Sequence, residues 1–209
     1  MCECDYRAAQ LGLKFALACA NNFYDNPVYS EKILKKEIEF LTQSNIVNRS
    51  KAIRCLAKNE KIEIGELRRT IEKYLGDTLI LRCGEMRILD ENNQLLDAYP
   101  RLDELPEKFK NVVIGNTNKS RLGLADGILE ALKILVLHPF MDCNGRVARM
   151  IISSAIMNEY NLNFVPYLDG LWRLRKSHIS GAILYFRKYG DFMPFFYAVI
   201  GAIRDSVEN

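Results

Sequence analysis

Two apolar helical runs, joined by a short polar turn, limit the ways this chain can fold. From Gly123 to Leu137, Leu124, Ile128, Leu132 and Leu135 recur at helical spacing, and Leu129, Ile134 and Val136 widen the apolar face. That pattern predicts a central helix buried on several sides. Val147 to Tyr160, rich in Met, Ile and Ala, predicts a second. Between them runs His138-Pro139-Phe140-Met141-Asp142-Cys143-Asn144-Gly145-Arg146. The helix pair forms the core on which this loop is mounted, and buried helices on both sides restrict its motion as a preorganised site requires.

The loop has the physics of a phosphate site. Pro139 disfavours helical angles at His138, so the first helix should end there and leave the imidazole on an exposed loop. Asn144-Gly145 reads as the start of the next helix, with Asn144 as N-cap. Backbone amides and the positive end of the helix dipole favour an anion at such a start. Arg146 and Arg149, three residues apart, are neighbours on that first turn, where cations oppose the dipole; a bound polyphosphate resolves the conflict. Asp142 is a hard oxygen ligand suited to the Mg2+ that accompanies nucleotide phosphates.

Composition bounds the rest. With 209 residues, 49% of them hydrophobic and 26% charged, the chain can bury one good core and a small appended subdomain, and disorder is not indicated. A net charge of +3, with basic and acidic residues interleaved, argues against nucleic acid or an anionic membrane as partner. The six cysteines show no framework spacing, which points to a reducing compartment, and Cys2-x-Cys4 lacks a second half for a metal site. Lys14 interrupts Leu11–Ala20 and Phe192–Ile203 is too short to span a bilayer, so a soluble, cytoplasmic protein is expected, acting in its own cell or in a host cell as a secreted effector. The sequons at Asn48 and Asn118 are then incidental.

Along the chain, helical periodicity predicts helices over Asp5–Tyr24, Ser30–Thr42, Asn48–Ala57 and Gly65–Leu75, a small bundle read as a packing scaffold. Character changes at Gly76. The β-prone runs Thr78–Leu81 and Met86–Leu89, the turn-rich Asp90–Gln94 and then Leu95-Leu96 predict a β-hairpin. Pro100–Asn111 reads as a turn and helix, Gly115–Lys119 as a loop and Asn161–Asp169 as a connector; Gly170–His178, Ile179–Tyr189 and Asp191–Val207 read as closing helices. His178, among Arg175, Lys176 and Ser177, reads as a surface residue.

The stretch from His138 to Arg149 resembles the Fic motif, His-x-Phe-x-Asp/Glu-Gly-Asn-Gly-Arg-x-x-Arg, departing from it only where Cys143 replaces a Gly. The order of elements from about Thr78 to Val199 is similar to a Fic domain. The resemblance implies an all-α fold: a Fic-type helical bundle with a small β-hairpin flap and an N-terminal helical subdomain, residues 1–75 forming the bundle and 76–209 the core. Gly84-Glu85-Met86-Arg87 is similar to the Gly-x-aromatic-Arg of the family's flap, although Met86 is not aromatic. Gly84, Arg87, Ile88 and Leu89 would then meet the target, with Ile88–Gln94 pairing by strand addition; the alternative is a purely structural hairpin.

Carried over residue by residue, the resemblance implies transfer of AMP from ATP to a Ser, Thr or Tyr hydroxyl of another protein. His138 is the general base, Asp142 holds Mg2+ between the α- and β-phosphates, and Asn144 and the loop amides through Cys143 and Gly145 orient the α-phosphate. Arg146 faces the β-phosphate and Arg149 the γ-phosphate, while Phe140 anchors the loop by packing. The same loop could carry UMP, a phosphate or phosphocholine, or serve a nucleotide-binding regulatory protein in which Cys143 has ended transfer. If position 143 needs positive φ, a non-glycine residue there costs on the order of 1 kcal/mol. The family's inhibitory pattern, Ser/Thr-x-x-x-Glu-Gly/Asn, is not found around Ser30, Ser44, Ser50 or Thr70, and Arg204 stands four residues before Glu208-Asn209. Inhibition would therefore come from a separate protein or a homodimer contact, and the chain is expected to be active unmutated.

Overall fold

The computed structural model describes residues 46–58, 64–75, 80–90, 92–101, 103, 122–162, 165, 168, 172 and 176–207. The helices expected at Asp5–Tyr24 and Ser30–Thr42, most of Pro100–Asn111, the loop at Gly115–Lys119 and Glu208 lie outside the described residues. Six helices and one two-stranded antiparallel sheet account for the regular structure among those described: α1 (Ile46–Lys58), α2 (Ile64–Leu75), β1 (Arg87–Leu89), β2 (Leu95–Ala98), α3 (Leu124–Leu137), α4 (Asn144–Glu159), α5 (Lys176–Tyr189) and α6 (Met193–Val207). The fold is all-α with a small hairpin.

α3 and α4 run antiparallel and form the centre. On α3, Ile128, Ala131, Leu132 and Ile134 are buried; on α4 the whole run from Met150 to Met157 is buried, as its weakly amphipathic, Ile- and Ala-rich sequence requires. The two backbones approach closely at Gly127, where an added Cβ would lie 2.3 Å from the Cβ of Ala155. At the far end of the pair, the Glu159 carboxylate accepts the Leu124 amide at 3.1 Å and Asn158 Nδ2 donates to the Leu122 carbonyl at 3.3 Å. Gly123 offers no side-chain cap, so the incoming carboxylate serves in its place, on the favourable end of the dipole. α1 packs on α2 and α4, and its Ala52, Ile53 and Leu56 join the same continuous core.

The hairpin forms where expected, with β2 longer than the Leu95-Leu96 pair. Its ladder pairs Arg87 with Ala98 and Ile88 with Asp97, then shifts register so that Leu89 faces Leu95. Asp90 organises the turn: its Oδ1 accepts the amides of Asn92 at 2.8 Å and Gln94 at 2.7 Å, and Asn93 adopts φ 60°, a conformation that Asn tolerates. The described end of the Thr78–Leu81 run does not extend the hairpin. It pairs instead with the loop between α3 and α4, through Arg82 N to Pro139 O at 2.8 Å and Met141 N to Ile80 O at 3.0 Å. Local β-propensity marked the strand but could not identify a partner some sixty residues away.

Of the closing helices, one differs from expectation and the last starts close to the expected Gly190-Asp191; most of Gly170–His178 lies outside the described residues. α5 begins at Lys176 and runs unbroken through the boundary set between His178 and Ile179, because no helix breaker stands there. α6 follows Gly190, at φ +74°, with Asp191 Oδ1 accepting the Met193 amide at 2.9 Å. Among the described residues no helix is long and apolar enough to cross a membrane.

Two glycine substitutions test this packing with opposite signs. Gly127→Ala should lower stability by about 1–3 kcal/mol, the usual cost of overpacking, because the new methyl group meets Ala155. Gly181→Ala, in α5 where a Cβ meets nothing within 4 Å, should raise it by about 0.5–1 kcal/mol. Denaturant midpoints read both.

Candidate active site

The chain turns from α3 to α4 in six residues, and the turn sets the geometry of the site. His138, the C-cap of α3, adopts φ 46° and ψ 56°, its amide still donating to Ile134 O at 2.9 Å. Cys143, at the cap position of α4, adopts φ 72°. Phe140 between them is fully buried, as the packing role expected of it demands. Asn144 is not the N-cap that its residue type suggested. It is the first helical residue, 2% exposed, and its amide closes a two-point clamp on one residue of the loop: Phe140 N donates to Oδ1 at 3.0 Å and Nδ2 donates to Phe140 O at 2.7 Å. Both functional ends of the amide are thus used inside the protein, which leaves Asn144 its backbone amide for any ligand.

The first ladder bond of α4 is donated by Val147 to the Cys143 carbonyl at 2.8 Å, so the amides of the first turn lie outside the helix ladder. Around them is an open pocket of about 260 Å³ lined by His138, Met141, Asp142, Cys143, Asn144, Gly145, Arg146 and Arg149. The residues singled out from the loop sequence, Phe140 apart, therefore converge on one cavity. Arg149 crosses the Trp172 ring, with Cζ 5.9 Å from its centroid, and lies beside Gly145, where an added Cβ would stand 3.2 Å from an Arg149 guanidinium nitrogen. The first turn of α4 holds Arg146 and no acidic residue, and its amides and the helix dipole favour an anion there.

Asp142 is exposed, and its Oδ1 accepts the Cys143 amide at 2.6 Å. Among the described residues no group of three or more His, Cys, Asp or Glu side chains could hold a metal ion. A single hard carboxylate beside two arginines does not make a resident metal centre. It does fit Mg2+ arriving with a nucleotide, since that ion takes one or two carboxylates and completes its shell with phosphate oxygens and water.

His138 differs from the exposed imidazole expected. It is half-buried, and its ring lies against that of Tyr99 with centroids 4.2 Å apart and planes 31° apart. Burial holds its pKa below the ordinary imidazole value. A hydrogen bond to the Leu135 backbone opposes that shift, the nearby Arg82 and Arg187 guanidiniums add to it, and Asp142 opposes it. A neutral imidazole carries one donor and one acceptor nitrogen, so the ring can take up a proton.

Of the flap residues, Ile88 is partly buried while Arg87 and Leu89 are exposed on β1. Gly84 has no positive φ and open space around its missing Cβ, so nothing in the fold demands glycine there. Ile80, Leu81, Leu89, Leu95, Leu96 and Met141 expose large apolar side chains, Leu95 to 60%.

Three residues near the base were not singled out from sequence: Tyr99, Arg82 and Arg187. A signal existed for Arg187. It follows Ile179 and Ile183 at i, i+4, i+8 on α5, so a charge completes an apolar stripe. Asp97 and Tyr99 likewise share one face of an extended segment by period two.

Neither a family model nor a curated protein matches the chain. Solved structures do. A Fic family protein from Desulfovibrio desulfuricans G20 superposes with a TM-score of 0.63 at 20% identity, over 98% of this chain and 64% of its own length. A fragment of Fic-1 from C. elegans superposes with a TM-score of 0.55 at 16% identity, over 99% and 64%. The chain thus has the Fic fold and spans about 64% of the length of these structures.

The left-handed conformation at position 143 yields a prediction for stability. Cys143→Gly should change it by less than about 1 kcal/mol, since relief of the side-chain penalty offsets the entropy of glycine. Cys143→Val should cost more, on the order of 2 kcal/mol, because a branched Cβ is poorly tolerated at φ 72°. Thermal denaturation of the two variants against the parent separates these outcomes.

Proposed function

We propose that this chain is a protein adenylyltransferase that transfers AMP from Mg-ATP to a Ser, Thr or Tyr hydroxyl of a target protein. The observation that carries the reading is the convergence of His138, Asp142, the α4 N-terminus, Arg146 and Arg149 on one pocket, in the order of the Fic motif and on the Fic fold. The target's hydroxyl proton passes to the acceptor nitrogen of His138 as its oxygen attacks the α-phosphorus; the bond from that phosphorus to the bridging oxygen breaks, and pyrophosphate leaves. Asp142 would hold Mg2+, which neutralises charge on the phosphates. Arg146 and Arg149 neutralise the β- and γ-phosphates, and the amides of the first turn of α4 orient the α-phosphate.

Two observations favour transfer over a binding-only protein. Cys143 adopts a left-handed conformation of the kind glycine takes readily, so the thiol does not prevent the turn into α4. The lowered His138 pKa keeps the imidazole neutral, and able to accept a proton, at and somewhat below neutral pH. Among the described residues β1 pairs with β2 alone, which suits docking of an extended target segment on its other edge by strand addition.

The test is incubation with Mg2+, cell lysate and ATP labelled at either the α- or the γ-phosphate. Label entering protein from the α-phosphate supports AMP transfer, and label from the γ-phosphate alone would mean phosphorylation instead. His138→Ala should abolish incorporation while leaving nucleotide binding nearly intact, and Asp142→Ala should raise the Mg2+ concentration needed for half-maximal rate. The acid limb of the rate profile should fall below the ordinary imidazole value of about 6.5. A limb at or above that value would contradict the neutral, half-buried base.

A further inference from the structure

Arg187 is the most heavily committed side chain near the base, although it lines no part of the phosphate pocket. It pairs with Asp97 and donates to the Ala98 carbonyl, fastening the end of β2; its Nη1 donates to Val136 O at 2.9 Å, fastening the C-terminus of α3. The same guanidinium lies over the Tyr99 ring with Cζ 4.9 Å from the centroid. Tyr99 in turn continues the hairpin ladder through its amide to Met86 O at 3.0 Å and lies against His138 at 4.2 Å between ring centroids. Hairpin, base and α5 are thus joined through one guanidinium and one ring. Arg82 buttresses the arrangement: 4% exposed, it donates through Nη2 to the carbonyl of Pro100, the residue after Tyr99, while its Nε and Nη1 are buried with no hydrogen-bond partner among the described residues.

We propose that Arg187 is a positioning residue for His138, acting through the ring of Tyr99, and that this stack sets the distance between the hairpin edge and the base. The inference rests on the reading of His138 as general base and of the hairpin as the target's docking edge. In that reaction the target hydroxyl must reach the imidazole from a segment held on the hairpin. An error of about 1 Å in such a placement costs on the order of a hundredfold in rate. The Tyr99 ring packs against the imidazole, and Arg187 joins that ring to the strand it follows. The charged groups acting on the imidazole are Arg82 and Arg187, which disfavour its protonation, and Asp142, which favours it.

The experiment uses the full chain, in which His138 and His178 are the two histidines, so the imidazole proton resonances are readily separated. Stacking shields the His138 ring protons. Tyr99→Phe should keep that shielding and the parent rate, while Tyr99→Leu and Arg187→Met should both lose it. The latter two should lower kcat for transfer roughly a hundredfold with KM for Mg-ATP unchanged, since neither residue lines the phosphate pocket. If Arg187→Met does not fold, Tyr99→Leu carries the same expectation. Unchanged His138 resonances in a folded Arg187→Met or Tyr99→Leu chain would overturn the proposal, as would a raised KM for Mg-ATP with kcat intact. A parent chain that transfers no AMP, yet whose His138 resonances respond as stated, would refute the adenylyltransferase reading and leave the stack standing.

Discussion

The two-point clamp between the Asn144 amide and the backbone of Phe140 is the interaction on which the site depends. A loop that reverses the chain within six residues, and does so with non-glycine residues at positive φ at both ends, needs something to hold it. The clamp is buried, and its donor and its acceptor are both matched, so opening it would leave polar groups unpaired in the core at a cost of about 1–3 kcal/mol each. Phe140, fully buried between α3 and α4, adds apolar contact to the same point. The segment at residues 80–82 then pairs with Pro139 and Met141 on the outer side. Between these supports, His138 and the start of α4 face one pocket.

This arrangement divides the loop into two kinds of residue. Phe140 and Asn144 point inward and maintain its shape, whereas Asp142, Arg146 and Arg149 reach the pocket and supply charge. Cys143 contributes its left-handed backbone conformation and packs, half-buried, against the core, so a thiol can stand where the Fic motif has glycine. The acidic partner of Arg187 shows a related economy. Asp97 has a carboxyl held below the ordinary range by the hydrogen bond from Arg187, so the ion pair is retained at neutral pH and is lost only as pH falls through that lowered value, while the bonds from Arg187 to the Ala98 and Val136 carbonyls do not titrate.

Much of this was legible in the sequence, for reasons that can be named. The α3–loop–α4 unit follows from apolar periodicity interrupted by Pro139 and resumed after Gly145, and the residues that line the pocket lie close together in the chain. The hairpin follows from β-prone runs around a turn that holds Asp90, Asn92 and Asn93. What escaped sequence reading depends on contacts between distant segments. Pairing of residues 80–82 with 139–141, the Tyr99 ring against His138, and Arg187 between β2 and α3 are each set by tertiary packing, which periodicity does not encode. Asn144 and His138 were misjudged in detail for the same reason: local rules gave a cap and an exposed imidazole, and neighbouring elements turned one inward and covered the other.

The central claim is that the start of α4 receives the phosphates of a nucleotide. Amide NMR of the isotope-labelled chain titrated with Mg-ATP tests it most directly. The account predicts saturable shifts at Asp142, Cys143, Asn144, Gly145 and Arg146, lost in Arg146→Ala, with the amides of α1 and α2 unmoved. Shifts confined to other parts of the chain, or none at saturating nucleotide, would contradict it.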